Sequence, residues 1–212
     1  MYRVAAFSED RVAVMHALIR AHPLATLVTS AGGALEANHI PMLIDPAPAP
    51  HGTLRGHVAR ANPLWRERHD GCEALAVFQG PQAYVTPSWY PSKQDTGKVV
   101  PTWNYAVVHA RGPLIVRDDR AWLRDLVSRL TDLQEAGLPQ PWGVTDAPAD
   151  YIERMLEAIV GIEIPVVQLQ GKWKVSQNRQ EADRAGVIDG LVRRGDAQAL
   201  AMAELVAGKR PV

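Results

Sequence analysis

Apolar and polar positions change period several times along this chain, and each change marks an element. Ser8 followed by Glu9 and Asp10 reads as a helix start, with a capping hydroxyl and two acids at the positive end of the dipole. Val12, Met15 and Ile19 then share one helical face, and Pro23 closes the segment. From Leu24 the pattern is extended: residues 24–30 (LATLVTS) and 35–44 predict a hairpin turned at Gly32-Gly33. The proline-rich DPAPAPHG (45–52) is a surface loop, since proline suits neither a helix nor an inner strand. Residues 53–59 predict a third strand and 60–69 a short helix carrying Trp65. Residues 73–79 and 82–86 predict strands paired across a Gly80-Pro81 turn, and 99–117 one or two more around Gly112-Pro113.

Two helices follow. In 119–136, Trp122, Leu126, Leu130 and Leu133 make an apolar stripe that stops at Gly137. In 150–160, Asp150 and Glu153 have capping-box spacing, and Gly161 lies just past the end. Residues 162–170 (IEIPVVQLQ) predict a last strand, and 180–207 a helical tail broken near Gly195-Asp196. About seven strands in antiparallel-like succession, with helices at the edges and end, predict a mainly β, α+β Greek-key barrel rather than a βαβ sheet.

The chain has 212 residues, enough to bury a sizeable core, and 23 basic residues balance 23 acidic ones. A dedicated nucleic-acid binder usually carries a basic excess, so a DNA-reading role would need a local patch. Cys72 is the single cysteine, which leaves no internal disulfide and no thiolate metal cluster, and it reads as an inert packed residue. The first residues lack a secretory pattern and no apolar run has membrane-spanning length, so a reducing cytoplasm is the expected compartment. The seven histidines lack the helical i, i+4 pair and the carboxylate clustering of zinc sites, so no metal is expected. Phosphate-loop, strand-linked GxGxxG and nucleophile-elbow patterns do not occur, and no catalytic acid or base can be singled out.

Three segments are rich in donors or aromatics. In TLRGHVARANPLW (53–65) a strand delivers His57 and Arg60 to its end, and Asn62-Pro63 turns the chain. A guanidinium beside a helix amino terminus suits a phosphate, although Arg60 also reads as a solvated surface charge. In the run 84–112, Trp89-Tyr90 and Trp103 with Tyr105 flank the polar loop SKQDTGK. With Ser88, Lys93, Thr102 and Asn104 they would enclose a planar ring, or else pack in a core or an interface. In QGKWKVSQNR (170–179), Lys172, Lys174, Ser176, Gln177, Asn178 and Arg179 gather cations and neutral donors between a strand and a helix. That suits an anion, and Ser and Asn also serve as caps at such junctions.

The stretches GHVARANPLW, 84–93, VPTWNYAVVHARG (100–112), MLEAIVGIEI (155–164) and GKWKVSQNR (171–179) resemble, in order, the PaiB-like family of FMN-binding negative transcriptional regulators. The resemblance implies a six-stranded antiparallel split barrel of the FMN-binding type over 1–175, with inserted helices, and a helical appendage over 176–212. It implies a homodimer with FMN at the interface and a weak or indirect DNA contact. It further implies that Arg60 meets the phosphate, and that the flavin is held among His57, Asn62, Ser88, Trp89, Lys93, Trp103, Asn104, Lys174, Gln177, Asn178 and Arg179. A flavin-dependent oxidoreductase akin to pyridoxamine-phosphate oxidases, or a haem binder using His57 or His109, stays open beside it. The tail's second helix, AQALAMAEL, is poor in residues that read base edges, so the tail is expected to pack on the body of the protein.

Overall fold

A computed structural model describes residues 1–31, 34–66 and 71–208. In chain order they form β1 (Ser8–Glu9), α1 (Val12–Ala21), β2 (Leu24–Ala31), β3 (Ala34–Pro41), β4 (Leu43–Asp45), β5 (Thr53–Ala59) and β6 (Glu73–Val85). There follow α2 (Ser92–Thr96), β7 (Thr102–Pro113), β8 (Ile115–Arg117), α3 (Arg120–Glu135) and α4 (Ala149–Glu157). The chain continues through β9 (Ile159–Pro165), β10 (Gln168–Lys174), α5 (Glu181–Arg194) and α6 (Ala197–Val206). The mixed, antiparallel architecture is the one the alternating pattern predicts.

Contacts divide the chain into two compact units, with β6 and β7 running through both. The first unit holds Met1–His22, Phe78–His109 and the chain from Gln170 onward. Its strands lie in the order β1-β10-β7-β6, and Met15, Leu18 and Ile19 of α1 are buried. Gly80 is where α1 meets β6: a Cβ there would lie 2.9 Å from Leu18 Cδ1. Both tail helices belong to this unit, with Val187 and Leu191 of α5 and Ala199, Met202 and Leu205 of α6 buried.

The second unit holds Pro23–Val77 and Ala110–Leu169. It contains the first part of β6 paired with β2, then β3, and a separate sheet ordered β4-β5-β9-β8, antiparallel at each register. Helix α3 lies against Gly161 of β9, where a Cβ would sit 2.3 Å from Trp122 Cζ3. The same sheet carries a charge network in which Arg55 pairs with Asp45 and Glu163, Arg117 pairs with Glu163, and Arg129 of α3 reaches Asp45.

Several boundaries differ from expectation, each for a local reason. Ser8 and Glu9 pair with Lys172 and Gly171 as a strand, and the Glu9 carboxylate is taken up by the Arg11 backbone and guanidinium, so α1 begins only at Val12. Gly80-Pro81 makes no turn: β6 is continuous through it and pairs with β7 and β2, with Leu18 lying against Gly80. The helix expected over 60–69 is a single 3-10 turn, Pro63–Trp65, capped by Asn62, and residues 67–70 lie outside the described residues. The Gly32-Gly33 turn also lies outside them. Residues 35–44 and 162–170 are each divided between two strands, and α2 is an added helix. Glu153 is spent on Arg120 and Arg124, and Asp150 on Arg154, so Pro148 stands at the α4 N-cap instead of a capping box. In α3 the buried residues are Leu123 and Leu126, while Leu133 is 58% exposed.

Candidate functional site

Strand alternation in the first unit sorts chemistry onto one sheet face. On β7, Asn104, Ala106 and Val108 are buried, while Trp103 is 54% exposed and Tyr105 half-buried. On β10, Gly171 and Trp173 are buried, and Lys172 and Lys174 alternate with them, half-buried. Lys172 Nζ lies 5.5 Å from the Tyr105 ring centroid and 5.7 Å from that of Tyr2, whose carbonyl accepts from it at 3.2 Å. The Trp103 ring meets Tyr84 of β6 edge-on, with centroids 6.0 Å apart. Lys174 Nζ donates to Thr102 Oγ1. Two cations, a hydroxyl and exposed aromatic rings thus share one surface, a combination that suits a planar ligand carrying an anion. Tyr84 and Tyr2 are additions to the residues singled out from sequence; for Tyr84 the signal is its alternation with buried Ala83 and Val85.

The turn after β10 is tightly tied. Ser176 is buried at a φ of 62°, a left-handed conformation, and its hydroxyl accepts from buried Asn104 Nδ2 at 2.9 Å. The Gln177 side chain accepts from Val175 N at 2.8 Å and donates to the Trp173 carbonyl. Arg179 N donates to Ser176 O at 3.0 Å, and its guanidinium stacks 4.8 Å above the Tyr90 ring. Asn104, Gln177 and Arg179 are therefore occupied in shaping the turn, and Asn178 is exposed on it.

Trp89 and Tyr90 pack against the tail. A Cβ on Gly190 would fall 2.2 Å from Trp89 Cδ2, and one on Gly186 would fall 2.0 Å from Trp89 O. Tyr90 is buried. Ser92 donates to buried Asp183 through its backbone N–H at 3.1 Å and its hydroxyl at 2.8 Å. Ser88 and Lys93 lie exposed on either side of this anchor.

His57, Arg60 and Asn62 belong to the second unit. Arg60 Nε donates to Glu157 O at 2.7 Å, its two terminal nitrogens clamp Asp118 at 2.9 and 2.7 Å, and Nη2 also donates to Ile159 O at 3.0 Å. Four of its five N–H groups are thereby used. The Asp118 carboxyl is held below its usual pKa by that clamp. Arg60 also lines a pocket of about 260 Å³ with Arg120, Asp118 and Glu157, so opposite charges balance there. Asn62 donates to Asn38 Oδ1 at 2.8 Å and caps Leu64 N. His57 sits opposite Gly161, on the sheet side that the Trp122 ring covers; burial pushes its pKa down, and its Nδ1 has no hydrogen-bond partner.

The antiparallel sheets with helical additions are those of the flavin-binding split-barrel fold. Residues 1–168 match the family described as "Putative FMN-binding domain", and the chain belongs to that family, whose cofactor is FMN. The chain is 34% identical over 194 residues to the Protease synthase and sporulation protein PAI 2 of Bacillus subtilis, covering 90% of this chain and 89% of that protein. It is 35% identical over 242 residues to Uncharacterized protein AN0679 of Emericella nidulans, covering 97% and 96%. Among solved structures, the flavocytochrome Anf3 from Azotobacter vinelandii is similar with a TM-score of 0.59 at 14% identity, over 87% of this chain and 78% of that one. The FAD and heme binding protein from Mycobacterium smegmatis is similar with a TM-score of 0.57 at 17% identity, over 78% and 71%. At such identities the likeness is one of fold.

Proposed function

We propose that the protein holds FMN on the outward face of β7 and β10 and acts as a flavin-linked negative regulator of transcription. Lys172 and Lys174 take the phosphate with Thr102 and Asn178, and Trp103 with Tyr84 lies against the isoalloxazine. The observation that carries this reading is the adjacency, on one sheet face, of an exposed aromatic pair and two lysines. Exposed aromatic surface is disfavoured in water unless a ligand or partner covers it, and the lysines supply the charge an FMN phosphate needs. Ser88 and Lys93 are further exposed donors on the segment that leads into β7. Bound FMN would supply electron and hydride acceptance, while the protein orients it and tunes its surroundings.

The regulator role is supported by the identity to the Bacillus subtilis sporulation protein. Helix α6 is a poor DNA reader: it carries no Lys or Arg, and half of its residues are buried. Regulation would therefore pass through a partner or a weak contact made elsewhere. A second copy is the partner that would cover the exposed Leu24 of β2 and Leu35 of β3. A reducing compartment, the cytoplasm, fits the lone Cys72.

The test is to purify the protein without added cofactor, record its visible spectrum, and weigh any ligand released on denaturation. Absorption near about 450 nm with FMN released supports the reading. No flavin, and no uptake of added FMN, removes it.

A further inference from the structure

We infer that Asn104 and Ser176 are positioning residues for the flavin phosphate: their buried hydrogen bond holds the turn after β10 in the shape that presents Lys174 and Asn178. The inference rests on the FMN reading above. Ser176 is the one non-glycine residue with positive φ among the described residues, and that region is disfavoured for any side chain with a Cβ. Both partners are almost fully buried, Asn104 at 1% and Ser176 at 4% exposure, so water cannot replace the bond.

The other ties of this turn serve different ends. Gln177 closes back onto Trp173 at the end of β10 and onto Val175, and Arg179 N onto Ser176. Arg179 leans on Tyr90, which fixes the turn to the segment before α2. Lys174 bonds to Thr102, a contact that a phosphate would share or replace. Among the described residues, the Asn104 hydrogen bond ties the turn's left-handed residue to β7, the strand that carries Thr102 and Trp103. It therefore holds Ser176 in the left-handed conformation that presents Lys174 and Asn178 beside that strand.

Substitution at Ser176 separates posture from simple packing. Ser176→Ala keeps a Cβ and loses the hydroxyl, whereas Ser176→Gly loses both and adopts positive φ unaided. FMN and riboflavin dissociation constants would be measured by fluorescence titration of the flavin-free protein, together with amide hydrogen exchange over 175–179. Ser176→Ala and Asn104→Ala are expected to weaken FMN about tenfold, the scale of one lost buried hydrogen bond, and riboflavin less than about threefold. Exchange in the turn should quicken in both, while Ser176→Gly stays within about threefold of wild type for FMN. If Ser176→Ala and Ser176→Gly bind FMN alike, or if FMN and riboflavin weaken equally, the positioning role is overturned while the flavin site stands. If the wild type binds neither flavin, the FMN reading itself fails and this inference falls with it.

Discussion

Gly190→Ala puts two forces of opposite sign in competition. Gly190 lies inside α5, where alanine is favoured over glycine by about 1 kcal/mol. Helix propensity alone therefore predicts a more stable protein. The surroundings predict the reverse. The new Cβ would lie 2.2, 2.4 and 2.6 Å from three atoms of the Trp89 indole, whereas ordinary contact begins near 3.4 Å. The ring must retreat by 3.4 − 2.2 = 1.2 Å. It has little room to do so, because Gly186 already rests on the Trp89 carbonyl and Ser92 is anchored to Asp183.

Overpacking costs about 1–3 kcal/mol, and an approach this close belongs in the upper half, about 2–3 kcal/mol, so after the helix gain the net loss is about 1–2 kcal/mol. For a chain of this size that lowers Tm by roughly 2–8 °C. Thermal melts followed by circular dichroism would compare wild type, Gly190→Ala, Trp89→Ala and the double variant. In the Trp89→Ala background, Gly190→Ala should stabilise, because only the propensity term remains. A Gly190→Ala protein that melts at or above the wild type would refute the packing. Trp89 would then be free to face a ligand, as the sequence reading allowed.

Lys174→Met should weaken FMN by about 10- to 100-fold with little effect on riboflavin, since a charge-assisted phosphate contact is worth about 1.5–3 kcal/mol; equal loss of both ligands in a fluorescence titration would remove Lys174 from the phosphate. Arg60→Ala should lower Tm and leave the FMN-to-riboflavin affinity ratio unchanged, because its guanidinium is committed to Asp118, Glu157 and Ile159. A selective loss of FMN would return Arg60 to the phosphate role. His57 has a pKa lowered by burial from its ordinary 6.5, so the unfolded chain binds a proton that the folded one refuses. Stability should therefore fall as pH drops below about 6.5 toward the lowered folded value, and His57→Gln should flatten that slope between pH 7.5 and about 5.5. An unchanged slope would show that another group, such as His22, which is also lowered by burial, carries the dependence.

Elements whose own residues decide them were legible: the extended runs of β2 and β5, α3 capped by Asp119, and the break between α5 and α6 at Gly195. Elements decided by distant neighbours were not. Gly80-Pro81 has the composition of a turn, and pairing of β6 with its neighbour strands, with Leu18 and Ala106 close against Gly80, makes it part of a strand. Ser8 has the composition of a cap, and pairing with Lys172 makes it strand instead. The two aromatic pairs look equivalent in sequence. What separates them is Gly186 and Gly190, which open a seat for Trp89, while Trp103 alternates outward opposite Tyr84. Arg60 shows the same limit: a strand-end arginine looks the same whether its partner is a phosphate or an aspartate, and in the structure its guanidinium bonds Asp118.

This division changes how the tail is understood. The match to the FMN-binding family ends at residue 168, yet Lys172, Lys174 and Asn178 follow it, and so does the clamp made by Arg179, Asp183, Gly186 and Gly190. Each member of that clamp touches the segment 89–92, which leads through α2 into the strand bearing Trp103. A helical appendage that merely covered the barrel would need no such glycine seat and no buried aspartate reaching a serine. If the proposed flavin site is right, the tail is its scaffold as well as a cover. Loosening it at Gly190 should therefore cost flavin affinity as well as stability, whereas a change of similar stability cost in the second unit, such as Arg60→Ala, should leave the intrinsic flavin affinity of the folded protein close to wild type.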